Sequence, residues 1–145
     1  MQQLLSVLPE YEALALQTLS SNHLIAPIQV EHLPLLFMVD TGASHTCIAT
    51  ETASLLRLPT SGNADLLTSA TGTQTGNIDL VFADSITLGN ITLHRQSFMA
   101  IDFSHINQRL ASMTGITVQG ILGADMLLAL KAVIDVANAI MYLKK

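Results

Sequence analysis

The chain has 145 residues, most simply a single domain that is long enough to bury a substantial core. Its net charge of −5 leaves no basic stripe to meet phosphates, which argues against a nucleic-acid partner. Apolar residues make up 50% of the sequence and charged residues only 12%, against a usual charged share of about 25%. This balance indicates either a membrane protein or a chain that hides much of its surface against another copy.

The longest apolar stretch argues against insertion in a membrane. It runs from 121 to 143 and contains Asp125, Lys131 and Asp135. Each charge near the centre of a bilayer costs about 2.5–3.5 kcal/mol, so three of them would prevent insertion. Association with a second copy of the chain, with no membrane partner, therefore explains the composition better.

Cysteine usage and the first residues predict the compartment. Cys47 is the only cysteine, which excludes an internal disulfide and favours a reducing environment. The start, Met1-Gln2-Gln3, lacks the positive charge of a secretory signal, and Pro9 interrupts the apolar segment that follows. We therefore expect a cytoplasmic location.

Residues 1–22 are predicted to form an amphipathic helix, because their apolar residues recur at helical spacing. The apolar face would carry Leu4, Leu8, Tyr11 and Ala15. We interpret residues 1–22 as an N-terminal helical extension and residues 23–145 as the main domain.

The rest of the chain is dominated by short apolar or alternating segments that end at turn residues, a pattern typical of strands. Pro34 is expected to separate the first two strands, and Gly89-Asn90 to form a type II′ hairpin turn. The predicted strands cover residues 24–31, 35–39, 46–48, 64–70, 76–83, 85–88, 91–94, 96–102, 117–122, 133–136 and 139–143.

Short helices are predicted at three places between these strands. One covers residues 51–58 with Thr50 as its cap, a second follows Ser104 and ends at Gly115, and a third covers residues 124–130. Many short strands with few helices indicate a mainly-β compact domain, which we expect to be a small barrel.

A carboxylate follows the most apolar strand of the chain, which runs from Leu35 to Val39. An ionised Asp40 at the end of a buried strand must be paired, solvated or protonated, because an isolated buried charge is costly. Gly42 permits a tight turn in which backbone N–H groups point back at the carboxylate, and Thr41 adds a hydroxyl donor. Asp40-Thr41-Gly42 therefore predicts a site for an acid tuned by its surroundings.

Two segments of the chain resemble the signatures of aspartic peptidases. Residues 40–44, Asp-Thr-Gly-Ala-Ser, are similar to the active-site loop of that family, and residues 121–125, Ile-Leu-Gly-Ala-Asp, are similar to its second signature. The hairpin between them, with its Gly/Thr tip, resembles the flap that closes over substrate. Asp-Thr-Gly alone is weakly specific, but the two motifs in this order are much more so. Over residues 24–143 the chain thus resembles the single-domain, retropepsin-like branch, which implies a small closed β-barrel and catalysis without metal or cofactor.

The number of carboxylates implies a dimer. Aspartic peptidases activate water with two carboxylates that share one proton, since like charges about 3 Å apart cannot both ionise. The chain has a single Asp-Thr-Gly, because Asp84-Ser85-Ile86 lacks the glycine. The resemblance therefore implies a homodimeric endopeptidase, with Asp40 from each subunit meeting at a two-fold axis and a peptide or protein as substrate.

The resemblance also implies residue roles. Asp40 would be the catalytic carboxylate, Thr41 would hydrogen-bond across the axis, and Gly42 would bring backbone donors to the carboxylates. Gly123 would pack closely beside this loop, and Asp125 would start the helix that follows. Substrate would be bound as an extended strand by Ala43 and by the flap residues Ala70, Thr71, Gly72 and Thr73.

Two other functions fit parts of the sequence. The chain could be a catalytically silent dimeric domain that keeps this fold for binding or regulation, since its flap tip is less rich in glycine than in viral members. Alternatively, His45 and Cys47 share a face of a strand, which permits a thiol dyad or half of a metal site. His45 and its neighbour Ser44 point to opposite faces and cannot form a nucleophile–base pair.

Overall fold

A computed structural model of the chain describes residues 9–61 and 79–145. Within these residues, six strands close into a barrel by pairing in the order β3-β4-β8-β5-β7-β6, with β6 returning to β3. The predicted mainly-β barrel is therefore confirmed. A short strand, β2 (Gln17–Thr18), pairs antiparallel with the first two residues of β3. The barrel strands are β3 (Leu24–Val30), β4 (Leu33–Val39), β5 (Cys47–Ala49), β6 (Asp79–Leu88), β7 (Ile91–Ile101) and β8 (Gly120–Leu122).

A second sheet of three strands packs beside the barrel. It consists of β1 (Tyr11–Ala15), β9 (Val133–Asp135) and β10 (Ile140–Lys144). β10 lies in the middle and pairs antiparallel with β1 on one edge and β9 on the other. Residues 140–143 are all buried, so the last strand of the chain is an integral part of the core.

Three short helices connect the strands in the part of the chain that the structure describes. They are α1 (Thr50–Leu55), α2 (Ser104–Thr114) and α3 (Ala124–Ala129). α2 ends at Gly115, as predicted, because the chain leaves the helix there with a φ of +75°, which glycine adopts without strain.

The apolar side chains form two clusters, and β4 contributes to both. Leu35 and Phe37 belong to the cluster inside the barrel, whereas Leu36 and Met38 pack against a second cluster that includes Leu110 of α2. Strands covered on both faces are continuously apolar rather than alternating. This double coverage explains the apolar run of β4 that precedes Asp40.

The helix predicted for residues 1–22 is wrong over residues 11–18, which form β1 and β2. Leu14 is buried while Ala13 and Ala15 are exposed, so the segment alternates as a strand does. Pairing with β10 over five residues overrides the helical spacing of its apolar residues. Residues 1–8 lie outside the described residues, and the division into an extension and a main domain stays a prediction.

Smaller differences concern Pro34 and α1. The chain already reverses at Glu31 and His32, whose φ angles are +50° and +71°, so Pro34 lies within β4 rather than before it. α1 begins at Thr50 itself, after an N-cap residue, Ala49, that makes no side-chain cap hydrogen bond. Gly89 has a φ of +60°, as the first position of a II′ turn requires. The strand predicted at 64–70, the first three residues of the one predicted at 76–83 and the tip between them lie outside the described residues, whereas residues 79–83 belong to β6, as predicted.

Candidate active site

Asp40 follows directly on β4 and starts a tight turn. Its backbone N–H donates to the carbonyl of Leu122 over 3.0 Å, and its own carbonyl accepts from Ala43 N at 3.2 Å. The N–H of Gly42 donates to Asp40 Oδ1 at 2.9 Å. The carboxylate is partly buried, while Thr41 and Gly42 are exposed. The turn therefore presents the carboxylate of Asp40 and an exposed edge, formed by Thr41 and Gly42, at the surface of this chain.

The loop that begins at Asp40 spans the end of β8. β4 runs parallel to β8, with Val39 opposite Leu122, and β5 runs antiparallel to it, with Cys47 opposite Ile121. Residues 40–46 connect these two neighbours of β8. This topology brings together the two sequence motifs that were singled out separately.

Gly123 lies in tight contact with this loop. A Cβ at this position would lie 2.7 Å from the carbonyl carbon and oxygen of His45 and 2.9 Å from the carbonyl oxygen of Ala43. These are backbone atoms, so a side chain would force the loop to move. Ala124 N donates to that same Ala43 carbonyl at 2.7 Å. The close packing predicted for Gly123 is therefore confirmed.

A hydrogen-bonded pair that the sequence did not predict fixes the far end of the loop. Thr46 donates to Asp125 Oδ1 through its backbone N–H at 3.0 Å and through its hydroxyl at 2.7 Å. Thr46 Oγ1 in turn accepts from Gly123 N at 3.0 Å. The sequence predicted only that Asp125 starts a helix. Its bond to Thr46 depends on a fold that brings together residues 79 positions apart.

An apolar wall adjoins the carboxylate. Met38 lies two residues before Asp40 on β4, pairs with Ile121 of β8, and Ile121 also pairs with Cys47. Residues two apart in an extended chain share a face, and Asp40 follows directly on β4, so we expect Met38 to lie on the same side as the carboxylate. Met38 and Ile121 are both partly exposed. The surface next to the carboxylate can therefore contact an apolar group.

The environment of Cys47 contradicts a role as nucleophile. Burial, followed by the negative charges of Asp125 and Asp40, raises the pKa of the thiol to about 11. A nucleophilic cysteine needs the opposite, a lowered pKa that supplies thiolate. The thiol donates to the carbonyl of His45 at 3.4 Å.

Across residues 9–61 and 79–145, no group of three His, Cys, Asp or Glu side chains is placed to hold a metal ion.

The structure thus brings Asp40, Thr41, Gly42 and Ala43 together in one loop. The remaining residues predicted to bind substrate, Ala70, Thr71, Gly72 and Thr73, lie outside the described residues.

Among the helices that the structure describes, none has the length and apolar character needed to cross a membrane.

Comparisons with known proteins agree with this geometry. A model of the aspartyl protease family matches residues 26–126. A search of curated proteins found no match. Among solved structures, a retropepsin-like aspartic protease from Rickettsia conorii is 18% identical with a TM-score of 0.57, covering 92% of this chain and 88% of that one.

Two further structures have the same fold. The retroviral protease-like domain of Ddi1 from Leishmania major is 16% identical with a TM-score of 0.51, covering 78% of this chain and 81% of that one. EIAV protease in complex with the inhibitor HBY-793 is 17% identical with a TM-score of 0.50, covering 77% and 90%. The three structural matches show that the chain shares the retropepsin-like fold, and at identities this low they show the fold alone.

Proposed function

The chain belongs to the aspartyl protease family, and we propose that it is a homodimeric aspartic endopeptidase in which Asp40 of each subunit supplies half of the catalytic dyad. One observation carries the proposal. Asp40 stands at the end of a buried strand, in a turn that is anchored to Leu122 and Ala124, while its carboxylate and the Thr41-Gly42 edge stay accessible. A rigid support under an accessible carboxylate is the arrangement that general acid–base chemistry requires.

The mechanism follows from two carboxylates that share one proton. The ionised carboxylate takes a proton from water, which attacks the scissile carbonyl, while the protonated partner donates to the carbonyl oxygen. Gly42 N, which donates to Asp40 Oδ1, would hold the carboxylate in position. Thr41 would hydrogen-bond to the loop of the second subunit. No metal or cofactor takes part.

The single Asp-Thr-Gly of the chain supports the dimer. One copy supplies one carboxylate, so the dyad is complete only when two identical loops meet at a two-fold axis. The apolar composition of the chain agrees with a large surface covered by a second copy.

Substrate would bind as an extended strand beside the loop. Ala43 would contact the substrate from the side of the Asp40 loop. The opposite side would be covered by a flap that forms backbone hydrogen bonds with the substrate, made of Ala70, Thr71, Gly72 and Thr73. The apolar wall of Met38 and Ile121 favours a peptide with an apolar side chain next to the cleaved bond.

Replacement of Asp40 by Asn tests the proposal. Asp40→Asn keeps the shape and the bond from Gly42 but removes the base, so cleavage of an unfolded protein substrate should fall by at least about 1,000-fold. The far-UV circular dichroism and the melting temperature should stay close to those of the wild type. The matched control is Asp84→Asn, which alters the Asp84-Ser85-Ile86 segment and should cleave normally.

The pH profile and an inhibitor provide a second test. Cleavage by the wild type should follow a bell-shaped or acid-favouring profile, because the pair is active only while it holds one proton. A statine-type inhibitor, which mimics the tetrahedral intermediate, should bind tightly in the same pH range. Unchanged cleavage by Asp40→Asn would contradict the assignment, and a wild type that neither cleaves nor binds the inhibitor at any pH would be a silent binding domain.

A further inference from the structure

Asp125 is joined to the candidate catalytic loop through a single oxygen atom. Its Oδ1 accepts from Thr46 N at 3.0 Å, from Thr46 Oγ1 at 2.7 Å and from Met126 N at 2.8 Å. Thr46 is only 1% exposed, and its hydroxyl also accepts from Gly123 N. One carboxylate oxygen thus ties the start of α3 to the last residue of the loop, and charge-assisted hydrogen bonds of this kind are the stronger ones.

The same short segment holds the loop at its other points. Leu122 O accepts from Asp40 N, Ala124 N donates to Ala43 O, and Asp125 binds Thr46. The loop is therefore held at its first, middle and last residues by three positions of one four-residue segment, 122–125, at the end of β8 and the start of α3. Gly123 leaves no free space between the two segments, since a Cβ there would overlap the loop backbone. Loss of the Asp125 contact would free one end of a loop whose other end carries the carboxylate.

We propose that Asp125 is a positioning residue, which acts through Thr46 to hold the Asp40 loop in the geometry that catalysis needs. The inference rests on the proposed function, because positioning for catalysis presupposes a peptidase. Asp125 supplies hydrogen-bond acceptance at one oxygen. An Asn at this position can accept the same three hydrogen bonds through its own carbonyl oxygen, whereas Ala cannot. On the other side, Ser can replace the hydroxyl of Thr46, whereas Val cannot.

The kinetic test compares the two pairs of variants on one unfolded protein substrate. Asp125→Ala and Thr46→Val should lower kcat by about 100-fold while KM changes by less than about threefold, because the loop is displaced but substrate contacts are kept. Asp125→Asn and Thr46→Ser should restore kcat to within about threefold of the wild type. The matched control is Asp135→Ala in the second sheet, whose carboxylate likewise accepts hydrogen bonds, from Asn138 N and Nδ2.

Three kinetic results would overturn the inference. They are wild-type kcat in both Asp125→Ala and Thr46→Val, a loss that appears in KM alone, and a loss in Asp125→Asn as large as that in Asp125→Ala. If Asp125→Ala does not fold, the comparison of Thr46→Val with Thr46→Ser decides the question on its own.

Amide hydrogen exchange gives a readout that needs no activity. The Gly42 amide donates to Asp40 Oδ1, at the other end of the loop from Thr46. It should exchange at least about tenfold faster in Asp125→Ala and Thr46→Val than in the wild type and in the two conservative variants. Unchanged exchange at Gly42 would overturn the anchoring role. A wild type that cleaves nothing would refute the proposed function, and faster exchange at Gly42 would then still support the anchor.

Discussion

At the scale of single residues, Cys47 shows how an environment disables a reactive group. The residue is 8% exposed, and burial together with the charges of Asp125 and Asp40 raises the pKa of its thiol from 9.0 to about 11. The folded chain therefore holds this proton more tightly than the unfolded chain does. The resulting stabilisation is complete below about pH 9 and is lost as the pH rises towards 11.

The pKa of Cys47 leads to a prediction on stability. Between pH 8.5 and about 11, the free energy of unfolding of the wild type should fall by about 2 kcal/mol more than that of Cys47→Ala. Urea denaturation of both proteins across this range measures the difference, and the variant controls for every other titrating group. Parallel curves for the two proteins would mean that the thiol does not retain its proton.

At the scale of elements, Asn107 connects α2 to the segment that leads into β8. Its Nδ2 donates to Val118 O at 2.9 Å, and its Oδ1 accepts from Val118 N at 2.8 Å. Val118 is 1% exposed, so its backbone groups are satisfied by this amide rather than by water. The side chain of Asn107 thus replaces the partner that a neighbouring strand would have supplied.

Removal of this amide should weaken the whole domain. Asn107→Ala is expected to lower the free energy of unfolding by about 2 kcal/mol, because two buried backbone groups lose their partners. Gln108→Ala, at the exposed neighbouring position on the same helix, should change it by no more than about 0.5 kcal/mol. Chemical denaturation decides between them, and equal effects of the two variants would show that the contact contributes nothing.

The elements also show what the sequence could predict. Most strands and the end of α2 at Gly115 depend on local pattern, so they could be predicted, and the close packing of Gly123 could be expected from the resemblance to a family signature. Residues 11–18 could not, because a short segment with Leu and Ala suits a helix as well as a strand, and its partner β10 lies at the other end of the chain. The bond between Thr46 and Asp125 was missed for the same reason.

At the scale of the whole molecule, the proposed dyad makes activity a property of pairs of chains. Wild-type chains unfolded and refolded together with an equal amount of Asp40→Asn chains should show about half the activity of the same amount of wild-type chains alone, because random pairing places half of them in mixed dimers. A larger excess of the variant should lower it further. An inert protein of similar size, added instead, should have no effect, and activity that ignores the variant would show that one chain suffices.

The pairing of β1 with β10 has a consequence for how the protein forms during translation. Residues 11–15 have no strand to pair with until residues 140–144 have left the ribosome. The barrel strands, which all lie between these two segments, have their partners earlier. Contacts between the most distant parts of a sequence are also the slowest to form. We therefore expect the second sheet to be completed last, with β1 and its buried Leu14 uncovered until β10 emerges, when a chaperone could hold them.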